Sequence, residues 1–236
     1  MRICICDDDH QTHTLICNLL LEKTTIKSEH QITQCFSGEE LIQQYEQNKT
    51  FDLIFLDVEM SQTDGIQAAK KIREQDEKTI IVFVSSHKQY VFDTFPVGAF
   101  HYIVKPIDPE EFEDVYQRSV QKYKDLHAEI HLKWFFERYA IPIYKILYLE
   151  GAHRHVIFHT NDAIYEGVGK VSDYIGELIP HGFVQVQQSC LVNMNYIEAI
   201  RNDKMVLKNG ENIWISVRNH MNTVKAFDYY LGHRKW

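Results

Sequence analysis

Apolar positions follow one rhythm in the first half of this chain and another in the second, and the change falls near residue 130. In the first half, short continuous apolar runs alternate with stretches of helical spacing. Residues 2–6, 32–36, 51–56, 79–84 and 101–104 read as strands, and the apolar run that ends in Asp57 has the pattern of one buried on both faces. Between them, Leu15, Ile16, Leu19 and Leu20, then Leu41, Ile42 and Tyr45, then Ile66, Ala69 and Ile72 recur as helix faces turned inward. A short helix is expected over 90–95. The last helix follows Asp108, with Pro109 at its first position and Phe112, Val115, Tyr116, Val120 and Tyr123 on one face. Ser37 with Glu40, and Asp108 with Glu111, read as capping boxes. Five strands alternating with five helices predict a doubly wound parallel sheet.

Residues 121–130 are charged, and beyond them the spacing shortens. Strands are expected at 132–136, 140–144, 146–149, 156–160 and 163–167. Asn209-Gly210, between two apolar runs, predicts a two-residue hairpin turn. Helices are expected at 171–179 and 218–231, with no helix-turn-helix pair. The chain therefore divides into an α/β domain over 2–122, a linker over 123–130 and a mostly β domain over 131–233.

Composition narrows the class. No apolar run approaches the roughly 18 residues that span a bilayer, and the N-terminus turns acidic too early for a secretory signal. A cytoplasmic protein with no membrane partner is expected. Five cysteines, an odd number lying mostly in apolar patterns, suit reduced thiols. The net charge of −8 lies wholly in the first 124 residues, which hold 13 Lys and Arg against 21 Asp and Glu. The remainder holds 12 of each, so charge alone does not predict nucleic-acid binding.

The candidate chemistry sits where the strands end. The first strand runs into Asp7-Asp8, the third into Asp57, the fourth into Ser85 and the fifth into Lys105-Pro106. In an open α/β sheet these carboxyl ends share one side, where ligands bind. Three carboxylates converging there repel one another unless a cation intervenes, and hard oxygen donors in that number suit Mg²⁺. A hydroxyl and an ammonium nearby can meet phosphoryl oxygens.

In this combination residues 2–122 resemble the receiver domain of two-component response regulators, a flavodoxin-like fold. The resemblance implies that Asp57 is the phospho-accepting aspartate and that Asp7, Asp8, Asp57 and the Glu59 backbone carbonyl hold Mg²⁺. It further implies that Ser85 is the switch hydroxyl, Tyr102 the switch aromatic and Lys105 the phosphoryl-contacting lysine, followed by a cis bond to Pro106. Glu59 and His87 occupy the positions that tune phosphoryl lifetime in the family. A sensor histidine kinase is the implied partner.

In the second half, Tyr148-Leu-Glu150, Phe183-Val-Gln-Val186, Ser189 to Ile197, Leu207-Lys-Asn-Gly210 and Ile215-Ser-Val-Arg218 resemble the LytTR DNA-binding domain. That family presents loops and strand ends to DNA. The resemblance maps base contacts to the loop 151–155, including Arg154 and His155, to Gln187 and Gln188, and to Arg218 and Asn219. Arg suits guanine and Gln or Asn adenine in the major groove. Gln187-Gln188 replaces the family's usual His-Arg. The implied whole is a phosphorylation-controlled transcription regulator, not an enzyme, that binds double-stranded promoter half-sites as a homodimer when phosphorylated. Two alternatives differ in class: an aspartyl-phosphate-forming phosphohydrolase, and a receiver with a protein-binding output domain. His153, His155 and His159 also raise the alternative of a metal site on one strand.

Overall fold

The computed structural model describes residues 1–23, 31–61 and 63–233. The chain forms two compact units, 1–124 and 125–236. In the first, β1 (Arg2–Cys6), β2 (Gln31–Cys35), β3 (Leu53–Leu56), β4 (Ile80–Ser85) and β5 (His101–Val104) form one parallel sheet in the order β2-β1-β3-β4-β5. The continuous apolar runs become strands because both faces are covered: β3 and β4 are buried at every residue.

Alternate residues serve opposite faces. Cys4, Cys6, Ile54, Leu56, Ile81 and Phe83 pack with Leu41 and Tyr45 of α2 (Gly38–Glu46) and with Ala69 and Ile72 of α3 (Gly65–Arg73). On the other face Phe55 stacks on Phe112 of α4 (Pro109–His127) at 5.1 Å. In α1 (His10–Lys23), Ile16, Leu19 and Leu20 are buried as their spacing predicts, but Leu15 is exposed. His13 takes an inward place instead, its Nε2 2.7 Å from the Asp7 carbonyl.

The expected helix over 90–95 is a 3₁₀ stretch, Lys88–Val97, closed by Gly98 at φ 62°. Pro96 lies inside it and supplies no N–H for α-helical bonding. The caps form as read, with one difference. The Ser37 hydroxyl accepts from Glu40 N–H, and Glu40 reaches back to Phe36 N–H. Asp108 accepts from the Glu110 and Glu111 N–H groups, while the Glu111 carboxylate lies by His101. Helix α4 runs on to His127, so helix occupies most of the segment 123–130.

The second unit is mostly β. Its hairpin joins β6 (Glu129–Trp134) and β7 (Glu137–Pro142). A five-stranded sheet runs in the order β10-β9-β8-β12-β11, built from β8 (Ile146–Ala152), β9 (His155–Thr160), β10 (Ile164–Val168), β11 (Phe183–Gln187) and β12 (Cys190–Asn193). A third sheet joins β13 (Ile197–Arg201), β14 (Lys204–Leu207) and β15 (Asn212–Trp214). Two short 3₁₀ stretches flank α5 (Ile175–Leu178), and α6 (Val217–His233) packs Phe227 onto the core with Val184, Val186 and Met205.

The turn at Asn209-Gly210 is longer than its sequence predicts. Leu207 N–H donates to the Glu211 carbonyl and Gly210 N–H to the Leu207 carbonyl, leaving a three-residue loop with Gly210 at φ 88°. A glycine at positive φ in the third loop position is the bulge form of hairpin connection. Likewise Phe135 and Phe136, expected in a strand, form the tip between β6 and β7.

One glycine fixes the loop after β3. A Cβ on Gly65 would lie 1.9 Å from the Asp57 carbonyl oxygen, so helix α3 starts in contact with that backbone. Replacing Gly65 by Ala should cost about 3 kcal/mol of stability in the first unit, read from urea unfolding by circular dichroism. Gly176→Ala, where nothing lies within 4 Å, should leave the unfolding curve almost unchanged.

Candidate functional site

Parallel strands all end on one side, so the residues after β1 and β3, at the end of β4 and after β5 share an edge. Asp7, Asp57, Ser85 and Lys105 hold those positions. Backbone bonds fix the acids: Asp57 N–H donates to the Cys6 carbonyl at 2.8 Å, and Asp7 N–H to the Cys35 carbonyl at 3.2 Å. Asp7, Asp57 and Ser85 are buried, and Asp8 is exposed.

Two buried carboxylates so placed repel each other. The Lys105 ammonium lies between them, 2.7 Å from Asp7 Oδ2 and 2.8 Å from Asp57 Oδ2. Burial raises the Asp57 pKa, and the Lys105 bond opposes that rise without cancelling it. Burial also works against the Lys105 charge, but its bonds to Asp57 and Asp7 outweigh it and hold the lysine pKa above its ordinary value. Asp7, Asp8 and Asp57 each offer an oxygen within 4.8 Å of the others, and among the described residues no other His, Cys, Asp or Glu group is gathered in this way. Three hard oxygen donors with one exposed member suit a divalent cation that keeps part of its water shell. The Lys105–Pro106 peptide is cis.

The mouth of the site holds an arrangement the sequence does not disclose. Glu59 N–H donates to Asp57 Oδ1 at 3.3 Å, but its side chain turns away. Glu59 Oε2 lies 2.7 Å from His87 Nδ1, and Oε1 accepts from the Tyr90 hydroxyl at 3.1 Å. Ser85 Oγ accepts from His87 N–H at 3.4 Å. The Tyr102 hydroxyl donates to the His87 carbonyl, while its ring stacks 6.4 Å from Phe83. Burial raises the Tyr102 pKa, opposed by a bond to Ser85. His87 thus touches Glu59, Ser85 and Tyr102, and Tyr90 joins them. Tyr90 carries no sequence signal for this role beyond its place in the stretch after β4.

In the second unit, the β8–β9 turn carries Arg154, exposed, with His155 opening β9. A polar cleft is lined by Gly151, His153, His155, Lys170, Gln188 and Ser189, which brings that turn beside the β11–β12 turn. Gln187 and Asn219 are partly engaged within the fold. Gln187 Nε2 donates to the Trp214 carbonyl at 2.7 Å, and Asn219 Nδ2 donates to the Gln185 carbonyl at 3.2 Å. Arg218, in the first turn of α6, is exposed. The histidines of the alternative metal site do not gather. His159 stacks on Tyr148 at 4.0 Å and bonds Glu150 at 3.1 Å, whereas His155 lies edge-on to Trp134 at 5.0 Å. Among the described residues no helix is long and apolar enough to cross a membrane.

Comparison with known proteins gives two family matches. Residues 3–117 match the response regulator receiver domain, and residues 137–227 match the LytTr DNA-binding domain. The sensory transduction protein LytT of Bacillus subtilis is 28% identical over 92% of this chain and 94% of its own. The transcriptional regulatory protein LytR of Staphylococcus aureus is 26% identical over 75% of this chain and 79% of its own. A solved response regulatory domain of protein mrkE from Klebsiella pneumoniae is 25% identical, covers 52% of this chain and 98% of that one, and has a TM-score of 0.47.

The raised Asp57 pKa has a signed consequence for stability. The folded state holds the Asp57 proton more tightly than the unfolded chain does. This group therefore favours folding most below the unfolded pKa, about 3.9, and the benefit is lost as pH rises through the folded value. With a chelator present, Asp57→Asn should raise the melting temperature at pH 7. The gap from the wild type should shrink as pH is lowered toward 4, measured by calorimetry.

Proposed function

The chain belongs to the two-component response regulators that join a receiver domain to a LytTR DNA-binding domain, and from that premise we propose that phosphorylation of Asp57 by a sensor histidine kinase controls its binding to double-stranded promoter DNA. The observation that carries this reading is the Lys105 ammonium bridging two buried carboxylates at 2.7 and 2.8 Å on the sheet edge. A buried acid with an ammonium against one oxygen has its other oxygen available as a nucleophile. Asp57 Oδ2 stays with Lys105, and Oδ1, held by one long bond from Glu59 N–H, takes the phosphoryl group. The donor's leaving group keeps the electron pair of the broken bond. Asp7, Asp8, Asp57 and the Glu59 backbone carbonyl would hold Mg²⁺, which supplies positive charge for the phosphoryl oxygens when bound.

The new anion carries about −1.5 to −2 charges. Lys105 and Ser85 are the groups available to bond it. Drawing Ser85 toward a phosphoryl oxygen changes its bond with His87 N–H, and with it the carbonyl that Tyr102 holds. A local charge is thereby converted into a change of surface near β5 and the 3₁₀ stretch. Phosphorylated receivers would pair as homodimers, setting two DNA-binding units on adjacent half-sites and raising apparent affinity through effective concentration. Arg154, His155, Gln187, Gln188, Arg218 and Asn219 are the proposed reading residues, acting in the cytoplasm. The roles of the relatives, sensory transduction and transcriptional regulation, favour this reading over a phosphohydrolase, and so does the Glu59 carboxylate being taken up by His87 and Tyr90.

Incubation with radiolabelled acetyl phosphate and Mg²⁺ should label the wild type and leave Asp57→Asn unlabelled. Equal labelling of both would remove Asp57 from its role. Selection from random duplex DNA, with and without acetyl phosphate, should enrich a repeated half-site more strongly in the phosphorylated sample.

A further inference from the structure

We propose that hairpin β6–β7 is a second DNA contact of the C-terminal unit, in which Lys133 and Arg138 hold phosphates and the tip residue Phe136 packs into the groove beside them. This rests on the DNA-binding reading above and adds residues that it does not include. The family match in this half begins at residue 137, at the start of β7, so β6 and the tip precede it.

The hairpin is anchored firmly enough to present a surface. Its inward side chains, Ile130, Leu132 and Ile141, are buried in the core of the second unit. Leu132 lies against Gly167 of β10, where a Cβ would come within 3.1 Å of it. The Tyr139 ring meets Tyr165 edge-on at 5.2 Å.

The outward face has the opposite character. His131, Lys133 and Arg138 are exposed there, and Lys133 stands directly opposite Arg138 in the register. Like charges directly opposite across a strand pair are destabilising. Neither cation has an ion-pair partner among the described residues, and Glu137 is turned to the Tyr139 hydroxyl. Two unneutralised cations held side by side fit a polyanion. The tip adds Phe135 at 70% and Phe136 at 103% exposure, with Phe135 at φ 49°. An apolar side chain flanked by cations is the combination with which proteins enter a groove between phosphate rows.

Location selects the partner. Trp134, at the end of β6, lies edge-on to His155 at 5.0 Å, and His155 lines the same cleft as Lys170 and Gln188. The tip is therefore continuous with the edge assigned to DNA. A unit with equal numbers of acidic and basic residues has to cluster its cations to bind a duplex, and this hairpin is such a cluster.

The test uses the full-length protein and the duplex it selects, with affinity read by fluorescence anisotropy between 50 and 200 mM salt. The double variant Lys133→Gln/Arg138→Gln should bind roughly tenfold more weakly at physiological salt. Its slope of log affinity against log salt should be shallower by about 1.8, with equal losses on selected and random DNA. Phe136→Ala should weaken binding about fivefold with the slope unchanged. All three side chains are exposed, so Phe136→Ala should melt with the wild type, and the double variant, relieved of its opposed like charges, should melt at the same temperature or slightly above it. Wild-type affinity and slope in both variants would overturn the proposal while leaving the DNA-binding reading intact. Unchanged DNA binding with loss of self-association in sedimentation would make the hairpin a protein-binding surface and overturn it as well. If the wild type itself enriches no duplex, the underlying reading fails and this one with it.

Discussion

The receiver half depends on one ammonium. Parallel strands bring their carboxyl ends to a common edge, and here that places Asp7 and Asp57 beside each other, both buried. Two carboxylates so placed repel each other unless a counter-charge lies between them. Lys105 supplies it and is held in return, at 2.7 and 2.8 Å. The arrangement does not neutralise the edge: two buried acids share one half-buried base, and Asp8 adds a further negative charge at the surface. The surplus is what makes the edge suited to a divalent cation, and what keeps Asp57 reactive in the proposed function.

Around that pair the mouth is organised by His87. Its ring faces Glu59, its N–H faces Ser85 and its carbonyl receives the Tyr102 hydroxyl. Three of the residues that the receiver resemblance assigns to control thus depend on one short segment after β4. The second half uses a different economy. Its core comes from strands and hairpins, and its candidate reading residues lie on turns, at strand ends and in the first turn of α6. Gln187 and Asn219 each use one donor to hold the fold, so they have fewer groups left for a base than Arg154 or Arg218.

Much of this was legible in the residues. The central strands of the first half, β1, β3 and β4, are apolar runs because both faces are covered, and the residues at the strand ends name the edge. Asp7, Asp57, Ser85 and Lys105 were therefore recognisable together. What the pattern does not carry is pairing between side chains far apart in the chain. The Glu59–His87 pair and the Tyr90 bond depend on how two loops meet, and no local spacing encodes that. Hydrophobicity also misleads where it is not buried. Phe135 and Phe136 read as strand residues and form an exposed tip, and Leu15 reads as core while His13 takes the inward place. The Asn209-Gly210 signal located its hairpin, but the glycine's positive φ selected the bulged, three-residue loop.

Gly65 gives the site its fixed point. With α3 starting in contact with the Asp57 carbonyl, and the Asp57 N–H tied to Cys6, the main chain at Asp57 is held from both sides. It acts as a stator. Any displacement that follows a change of charge on Asp57 is then taken up on the other side, by the β4–β5 ends and the His87 segment, where the restraints are side-chain bonds that can be exchanged. In the proposed function, a missing methyl group would thus give the output its direction.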